Sequence, residues 1–271
     1  MIRNETILKI LTSALFTPYI ADEKPVSILL TADVESGKTA MVEKFKDNQY
    51  IKYLSDATAY SIWRDFAGNI EAGEIKHFIF PDLLAPFSKG SDTVNSFIMF
   101  LTAMIEEGLS EVHSGFLQEG GIVLKSPTPV GIIGCIARGE LKDNRHKWAR
   151  AGFMSRMLPI SYIYSQSSID EIKKSINERA YSKDAPIKLK LPTSQVRMTL
   201  SSDIASEVRK LEESLSLKVA YSTYGFRTLK SMQRLLMGHA LSCDRDKVTL
   251  YDLDVLKNEF MQFINLDYTE I

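Results

Sequence analysis

The stretch VSILLTADVESGKT, residues 26–39, decides how this chain folds. Its first half, VSILLTA, is an apolar run of the length of a buried strand, and the AMVEKFK that follows the stretch is typical of a helix. A loop between a strand and a helix turns backbone N–H groups toward a phosphate group. Lys38 then reaches the β- and γ-phosphates of a nucleotide, and the Thr39 hydroxyl can bind Mg²⁺. We expect four residues of the loop to bind the nucleotide: Ser36, Gly37, Lys38 and Thr39.

The loop departs at one position from the complete phosphate-binding pattern, which has a glycine five positions before Gly37. This sequence has Ala32 at that position. An alanine fits if its φ angle is negative, whereas a positive φ would strain the loop by about 1 kcal/mol. A fortuitous Gly-Lys-Thr turn is the alternative, but the strand before the loop and the helix after it favour nucleotide binding.

A second apolar strand, IKHFIFPDLL at residues 75–84, supplies a carboxylate. Asp82 follows Pro81 at the end of this strand and is suited to bind Mg²⁺ beside the loop. The alternative is that Asp82 caps the helix that follows. The usual second acid beside it, which would polarise the attacking water, is missing, so Glu106 and Glu107 remain as other sources of a base.

Further segments predict an α/β fold in which helices cover both faces of a parallel sheet. A helix is expected over residues 94–108, and VGIIGCIA, residues 130–137, is a third fully apolar strand. Between them, Gly120 and Gly121 predict a β-hairpin. After about residue 166 the sequence becomes polar and mainly helical. We therefore predict a nucleotide-binding core, residues 1–166, and a smaller, mainly helical domain, residues 167–271.

Composition and charge exclude several classes of protein. The 271 residues carry 33 Lys and Arg against 34 Asp and Glu, so any surface that binds nucleic acid must be local. Cys135 and Cys243 lie far apart without metal-ligand spacing, which argues against a zinc module and a disulfide framework. No apolar run approaches the ~18 residues of a membrane span, and no signal peptide is recognisable. We expect a cytoplasmic protein without a membrane partner.

Over nearly its whole length the sequence resembles the AAA+ ATPases. The N-terminal helix, the Lys-Thr loop and the Asp82 strand come in the order of that family. Residues 101–137 resemble the helix, β-hairpin and sensor strand of the branch that holds minichromosome maintenance helicases, MoxR-type proteins and the Holliday-junction branch-migration motor. The resemblance implies a P-loop NTPase core and a helical AAA+ lid domain, with ATP and Mg²⁺ as cofactors.

The resemblance also implies roles for two arginines. AGFMSRMLPISYIY resembles the segment whose Ser-Arg supplies an arginine finger to the neighbouring subunit, which assigns that role to Arg156. The segment that begins GFRTLKSMQRLL resembles the lid, in which an early arginine, here Arg227, acts as sensor 2. Arg234 is the rival for the sensor-2 role, and a plain surface role is the alternative for each.

Two other regions carry candidates that the resemblance suggests. On the hairpin, His113, Phe116 and Lys125 could touch a polymer substrate, although a hairpin phenylalanine also packs well in an interface. The sensor-1 position falls at Ala137 or Arg138, and neither is the polar residue of the family. Arg138 begins the basic stretch RGELKDNRHKWAR, for which a solvated loop is the alternative interpretation.

Together these features predict an ATP-driven or ATP-switched protein with slow hydrolysis. We expect catalytic roles for Asp82, Arg156 and Arg227, and Mg²⁺ ligands from Thr39 and Asp82. The resemblance implies self-assembly into a ring, such as a hexamer, or a filament with ATP between subunits, acting on DNA in replication, recombination or a mobile-element or viral process. The alternatives are a MoxR-like remodelling chaperone with a protein partner and a nucleotide-stabilised scaffold with little hydrolysis.

Overall fold

A sheet of five parallel strands forms the centre of the computed structural model, which describes residues 2–111, 123–179, 185–217 and 224–266. The strands of the chain are β1 (Ile28–Ala32), β2 (Ile51–Tyr53), β3 (His77–Phe80), β4 (Leu109–Glu111), β5 (Val123–Thr128), β6 (Gly131–Ala137) and β7 (Leu158–Ser161). The central sheet has the order β2-β3-β6-β1-β7, and β4 pairs with β5 in a separate antiparallel ribbon. Strand β1 therefore lies between β6 and β7.

Helices cover the sheet and make up most of the C-terminal part. They are α1 (Ile2–Phe16), α2 (Lys38–Glu43), α3 (Ala59–Glu71), α4 (Leu84–Phe87), α5 (Ser91–Glu106), α6 (Arg138–Arg150), α7 (Gln166–Asn177), α8 (Ser202–Ser216), α9 (Phe226–Ser242) and α10 (Leu250–Val255). Short 3₁₀ turns lie at Thr17–Tyr19 and Met154–Arg156, and a π-helical turn at Leu256–Phe260 continues α10.

Strand β1 is buried throughout, and its apolar side chains alternate between two hydrophobic clusters. Ile28 and Leu30 pack in the cluster that includes residues of α1, α8, α9 and α10. Leu29 packs in the other cluster, with residues of α3, α5 and α6. The first cluster joins residues from both sides of position 166, Leu30 and Leu235 among them, so the boundary at 166 stays a prediction.

The predicted fold class is confirmed: the chain has a parallel α/β sheet between helices and a helical C-terminal part. The solvated-loop interpretation of residues 138–150 is wrong, because this stretch forms α6. Leu141 and Trp148, seven residues apart on one side of that helix, are both buried. Two buried apolar residues in a thirteen-residue helix give too weak a period to predict it.

The predicted hairpin falls only partly within the described residues. The pairing of β4 with β5 is antiparallel, as a hairpin requires. Gly120, Gly121, His113 and Phe116 lie outside the described residues, and the side chain of Lys125 is likewise not described. In the described part of the chain, no helix combines the length and the apolar character needed to cross a membrane.

Candidate nucleotide-binding site

The predicted phosphate loop lies at the carboxyl end of β1, where α2 begins at Lys38. Gly37 precedes this helix with a φ angle of 81°, a left-handed conformation that glycine adopts without steric cost. Met41 donates its backbone N–H to the Gly37 carbonyl at 3.0 Å, which starts the helical hydrogen bonds. Strand, loop and helix thus follow the order that residues 26–39 predict.

The missing motif glycine does not strain the loop at Ala32. Ala32 is the last residue of β1, is fully buried, and pairs in register with Ala137 of β6. The left-handed conformation falls instead on Glu35, whose φ is 62°. A non-glycine residue in that conformation costs about 1–2 kcal/mol. The strain that the sequence suggested at Ala32 is therefore found three residues later.

The Lys38 ammonium donates hydrogen bonds to three acceptors of the loop. Its Nζ donates to the carbonyl oxygens of Ala32 and Asp33 at 2.8 and 2.7 Å, and to the Ser36 hydroxyl at 3.2 Å. Partial burial lowers the pKa of Lys38, and the positive charge of Arg138 lowers it further. Three donors thus meet three acceptors of the loop, which hold the cation at the carboxyl end of β1.

The segment that carries Asp82 touches Thr39 at the start of α2. The Thr39 hydroxyl lies 3.4 Å from the Pro81 carbonyl oxygen, directly before Asp82. Asp82 is exposed, and its Oδ1 accepts the Leu84 backbone N–H at 2.9 Å. The N-cap residue of α4 is Leu83, so Asp82 lies one residue before the predicted capping position, and its contact with Leu84 occupies only one oxygen of the carboxylate. A hydroxyl and a carboxylate are ligands that Mg²⁺ binds.

Two tyrosines that the sequence did not suggest donate hydrogen bonds to the loop. The Tyr162 and Tyr164 hydroxyls donate to the Ser36 carbonyl at 2.8 and 2.7 Å. Tyr162 is buried, and burial raises the pKa of its phenol well above the ordinary value. The alternation of SYIY after Pro159 was the available signal, because it places two hydroxyls on one side of an extended segment.

Arg156 and Arg227 do not lie beside the loop. Arg156 precedes β7, and Leu158 at the start of β7 pairs in register with Ile28 at the start of β1. The loop follows the other, carboxyl end of β1. The length of the strand, about 13 Å, therefore separates the loop from the end of the sheet where Arg156 lies. Within one chain, therefore, the predicted finger faces away from the predicted nucleotide.

Both arginines line a basic pocket at the end of the sheet where its parallel strands begin. It is a cavity of about 360 Å³ that contains Glu106 and five cationic side chains: Lys24, Arg156, Arg227, Lys230 and Arg234. Each sensor-2 candidate has a carboxylate partner: the Nε of Arg234 donates to Glu23 at 2.6 Å, and the Nε of Arg227 donates to Glu106 at 3.3 Å.

Glu106 is the counter-ion of this pocket and does not face the phosphate loop. Burial by itself raises the pKa of Glu106, but a hydrogen bond and the charge of Lys24, with the two arginines, give a net lowering. Lys24 also donates to the Glu106 backbone carbonyl. The alternative that Glu106 supplies a base to the loop of its own chain is therefore wrong.

Comparison with known structures finds a similar fold in a protein of Cytophaga hutchinsonii described as a "putative ATPase". The two chains have 12% sequence identity and a TM-score of 0.53, over 97% of this chain and 83% of the other. The two chains share a fold in which helices flank a parallel α/β sheet and a helical part follows it. No protein-family model matches the sequence, and no curated protein matches it. At this identity the likeness shows the fold alone.

Proposed function

We propose that this chain is an ATP-binding protein of the AAA+ fold that hydrolyses ATP slowly. The observation that carries the proposal is the placement of the Lys38 ammonium, which three loop acceptors hold at the carboxyl end of β1. A phosphate oxygen is a better acceptor for an ammonium than a carbonyl oxygen, because it is charged. Binding then replaces loop contacts by stronger ones at the same place.

Mg²⁺ fits the groups beside Lys38. Thr39 supplies the hydroxyl and Asp82 the carboxylate, on two neighbouring segments that already touch through Thr39 and Pro81. When bound, the ion would neutralise charge on the β- and γ-phosphates. The role of the chain's own residues is to hold the nucleotide with the loop and to orient the Thr39 hydroxyl and the Asp82 carboxylate toward it.

The separation of Arg156 and Arg227 from the loop supports a nucleotide shared between subunits. Since both arginines lie at the amino edge of the sheet, they can reach only the nucleotide of a second copy. In such an assembly the phosphate loop of one copy contacts the basic pocket of the next. This contact is head-to-tail, and its repetition gives a closed ring or an open filament. An arginine from across such a boundary accelerates phosphoryl transfer by about 10³- to 10⁵-fold in proteins where it has been measured.

Slow hydrolysis follows from the acid that is missing beside Asp82. Its neighbours in the chain are Pro81 and Leu83, and Glu106 lies at the other edge of the sheet. Losing a group that polarises water commonly costs about 10²-fold or more in rate. We therefore infer turnover below the ~1 s⁻¹ end of ordinary enzymes, with ATP acting mainly as a switch.

DNA is the proposed partner, and a protein client is the alternative. The support is the antiparallel ribbon of β4 and β5, which occupies the place that the resemblance gives to a hairpin touching a polymer. Phosphate contacts release counterions, so binding to duplex and single strands in the presence of an ATP analogue should fall steeply with salt. Absence of binding at low salt would favour the protein client.

The nucleotide site is tested by titrating Mg²⁺-ATP analogue into the wild type and into Lys38→Ala. We expect Lys38→Ala to abolish measurable binding, because the one ammonium that the loop places on the phosphates is gone. Lys46→Ala is the matched control, because Lys46 is an exposed lysine that pairs with Glu43, one turn before it in the chain. Equal affinity in wild type and Lys38→Ala would refute the proposed site.

A further inference from the structure

Two exposed aromatic rings lie beside the basic pocket at the start of α9. Tyr224 precedes the helix and is 86% exposed, and Phe226, its first residue, is 69% exposed. The two rings stack, with their centroids 5.6 Å apart and an angle of 15° between their planes. Phe226 also lines the pocket. Large apolar side chains gathered in one place on a surface are typical of a binding site.

The backbone between the rings contributes to their pairing. Gly225 has a φ angle of 66°, and a Cβ atom at this position would collide with the carboxylate of Glu212 in α8. Any other residue would therefore be strained here, both by its φ angle and by this close approach. The tight turn at Gly225 brings two rings that are two positions apart onto one side of the chain.

Lys230 adds a cation to the same surface. It follows Phe226 by four positions, so the two side chains lie one turn apart on one face of α9. Lys230 is exposed and lines the pocket. Both arginines of α9 that line the pocket have a carboxylate partner, whereas in the described part of the chain no carboxylate pairs with Lys230. Its ammonium is therefore available to an anion from outside.

The combination of rings and cation indicates which class of ligand fits. An apolar protein surface would cover the rings, but it would also bury the Lys230 ammonium without a counter-charge, which is costly. A ligand with phosphate groups alone would leave the rings in water. A nucleotide unit of a nucleic acid offers a flat base for a ring and a phosphate for the ammonium. Only an unpaired base exposes its face to a ring, which favours a single strand over a duplex.

We propose that Tyr224, Phe226 and Lys230 form a binding surface for single-stranded nucleic acid. A base stacks on the outer face of the ring pair, and the adjacent phosphate binds Lys230. The proposal rests on the proposed DNA partner and deepens it, because it assigns a contact with the strand to the start of α9. Arg156, whose side chain is 18% exposed, is not needed for this contact and keeps its proposed role toward a second copy.

The test measures binding of a labelled oligothymidylate of about 20 nucleotides to the full chain with an ATP analogue, by fluorescence anisotropy at several salt concentrations. We expect Phe226→Ala and Tyr224→Ala each to weaken binding about 5- to 100-fold without changing its salt dependence, because stacking neutralises no charge. Lys230→Gln should reduce the slope of log affinity against log salt by about 0.7, the value for one phosphate contact on a single strand. Phe226→Tyr keeps a ring and should bind like the wild type.

Two variants serve as matched controls. Tyr251→Ala removes an exposed ring of α10, and Lys210→Gln removes an exposed lysine of α8 that pairs with Glu207. Neither residue lines the pocket, so both variants should bind like the wild type. A duplex of the same length should bind more weakly than the strand. Thymidine monophosphate should compete only at much higher concentration, because it offers a single base and a single phosphate.

The outcomes separate this surface from the DNA partner itself. Unchanged affinity in Phe226→Ala and Tyr224→Ala, while the wild type binds the strand, would overturn this surface and leave the DNA partner standing. Absence of strand binding by the wild type at low salt would refute both. Equal affinity for thymidine monophosphate and for the strand would identify a free nucleotide as the ligand. Lost self-assembly with unchanged strand binding in Phe226→Ala would identify a second copy of the chain as the occupant, and either result overturns the proposal.

Discussion

Arg156 and Arg227 meet at one oxygen of a single carboxylate. The Nε atoms of the two arginines lie 3.5 and 3.3 Å from Oε2 of Glu106. Burial lowers the pKa of Arg156, and the charge of Arg227 lowers it further. Two guanidinium groups on one carboxylate leave net positive charge, so the pocket favours additional anionic groups. A phosphate group of a neighbouring copy would supply that charge.

The first prediction concerns complementation between subunits. Lys38→Ala and Arg156→Ala should each be inactive as ATPases, whereas a mixture of the two should recover activity. The reason is that an intact loop and an intact arginine can meet only at an interface between copies. Phosphate release is measured at several protein concentrations, and the wild-type rate per subunit should rise with concentration.

The control for this experiment is Arg64→Ala, because Arg64 is exposed and interacts with its near neighbours Asp65 and Tyr60. That variant should keep the wild-type rate. Activity that stays strictly proportional to enzyme down to the monomer, or mixtures that stay inactive at every ratio, would show that Arg156 does not act across subunits.

The second prediction concerns the tyrosines under the loop. Tyr162→Phe and Tyr164→Phe each remove one hydrogen bond to the Ser36 carbonyl and should each lower stability by about 1 kcal/mol. Affinity for the ATP analogue should fall several-fold in the double variant, because the loop is less well ordered. Denaturant unfolding and nucleotide titration measure the two effects. Tyr224→Phe, on an exposed ring, is the control. Lost stability with unchanged affinity would mean that the tyrosines support only β7.

The third prediction concerns the irregular loop sequence. Ala32→Gly completes the phosphate-binding pattern, yet it should lower stability by about 0.5–1 kcal/mol without raising nucleotide affinity, because Ala32 lies in a strand. Glu35→Gly should stabilise the protein by up to about 1 kcal/mol, since the left-handed strain at Glu35 is removed. Unfolding midpoints and nucleotide titrations of both variants check this. A gain in affinity in Ala32→Gly would contradict the extended conformation of that residue.

The fourth prediction concerns a buried carboxylate in the helical part. Asp252 is fully buried and accepts hydrogen bonds from His239, from the backbone and hydroxyl of Thr249, and from both terminal nitrogens of Arg245. Burial by itself raises the pKa of Asp252, but these hydrogen bonds outweigh it and hold the pKa well below its ordinary value. Asp252→Asn should therefore lower stability near neutral pH by about 2–3 kcal/mol.

The pH dependence of this loss has a definite sign. A carboxyl whose pKa is lowered by folding stabilises the protein above its unfolded pKa of about 4, and this contribution is lost as pH falls toward the folded pKa. The difference in stability between wild type and Asp252→Asn should be constant from pH 8 to about pH 5 and shrink below that. Asp254→Asn, at an exposed neighbouring position, should change stability by less than about 0.5 kcal/mol at every pH.

The elements that the sequence predicts well are those whose signal is local and strong. Strands β1, β3 and β6 are continuous apolar runs because both their faces are covered, and α5 has apolar residues at helical spacing. Strand β2 was not predicted, because Ile51 and Tyr53 are only partly buried and Lys52 between them is exposed. The same contrast holds for the site, where residues 36–39 form one contiguous loop, whereas Tyr162 reaches Ser36 across 126 positions.

The sequence by itself determined where the strand, the proposed phosphate loop and the helix lie, since the three are adjacent in the chain and each is specified by its own residues. Only the tertiary structure decided which charged groups share a site. Parallel pairing of β1, β6 and β7 sets Arg138 beside the loop and Arg156 at the opposite edge. That register depends on hydrogen bonds and buried contacts between segments more than 100 residues apart, which no local pattern encodes.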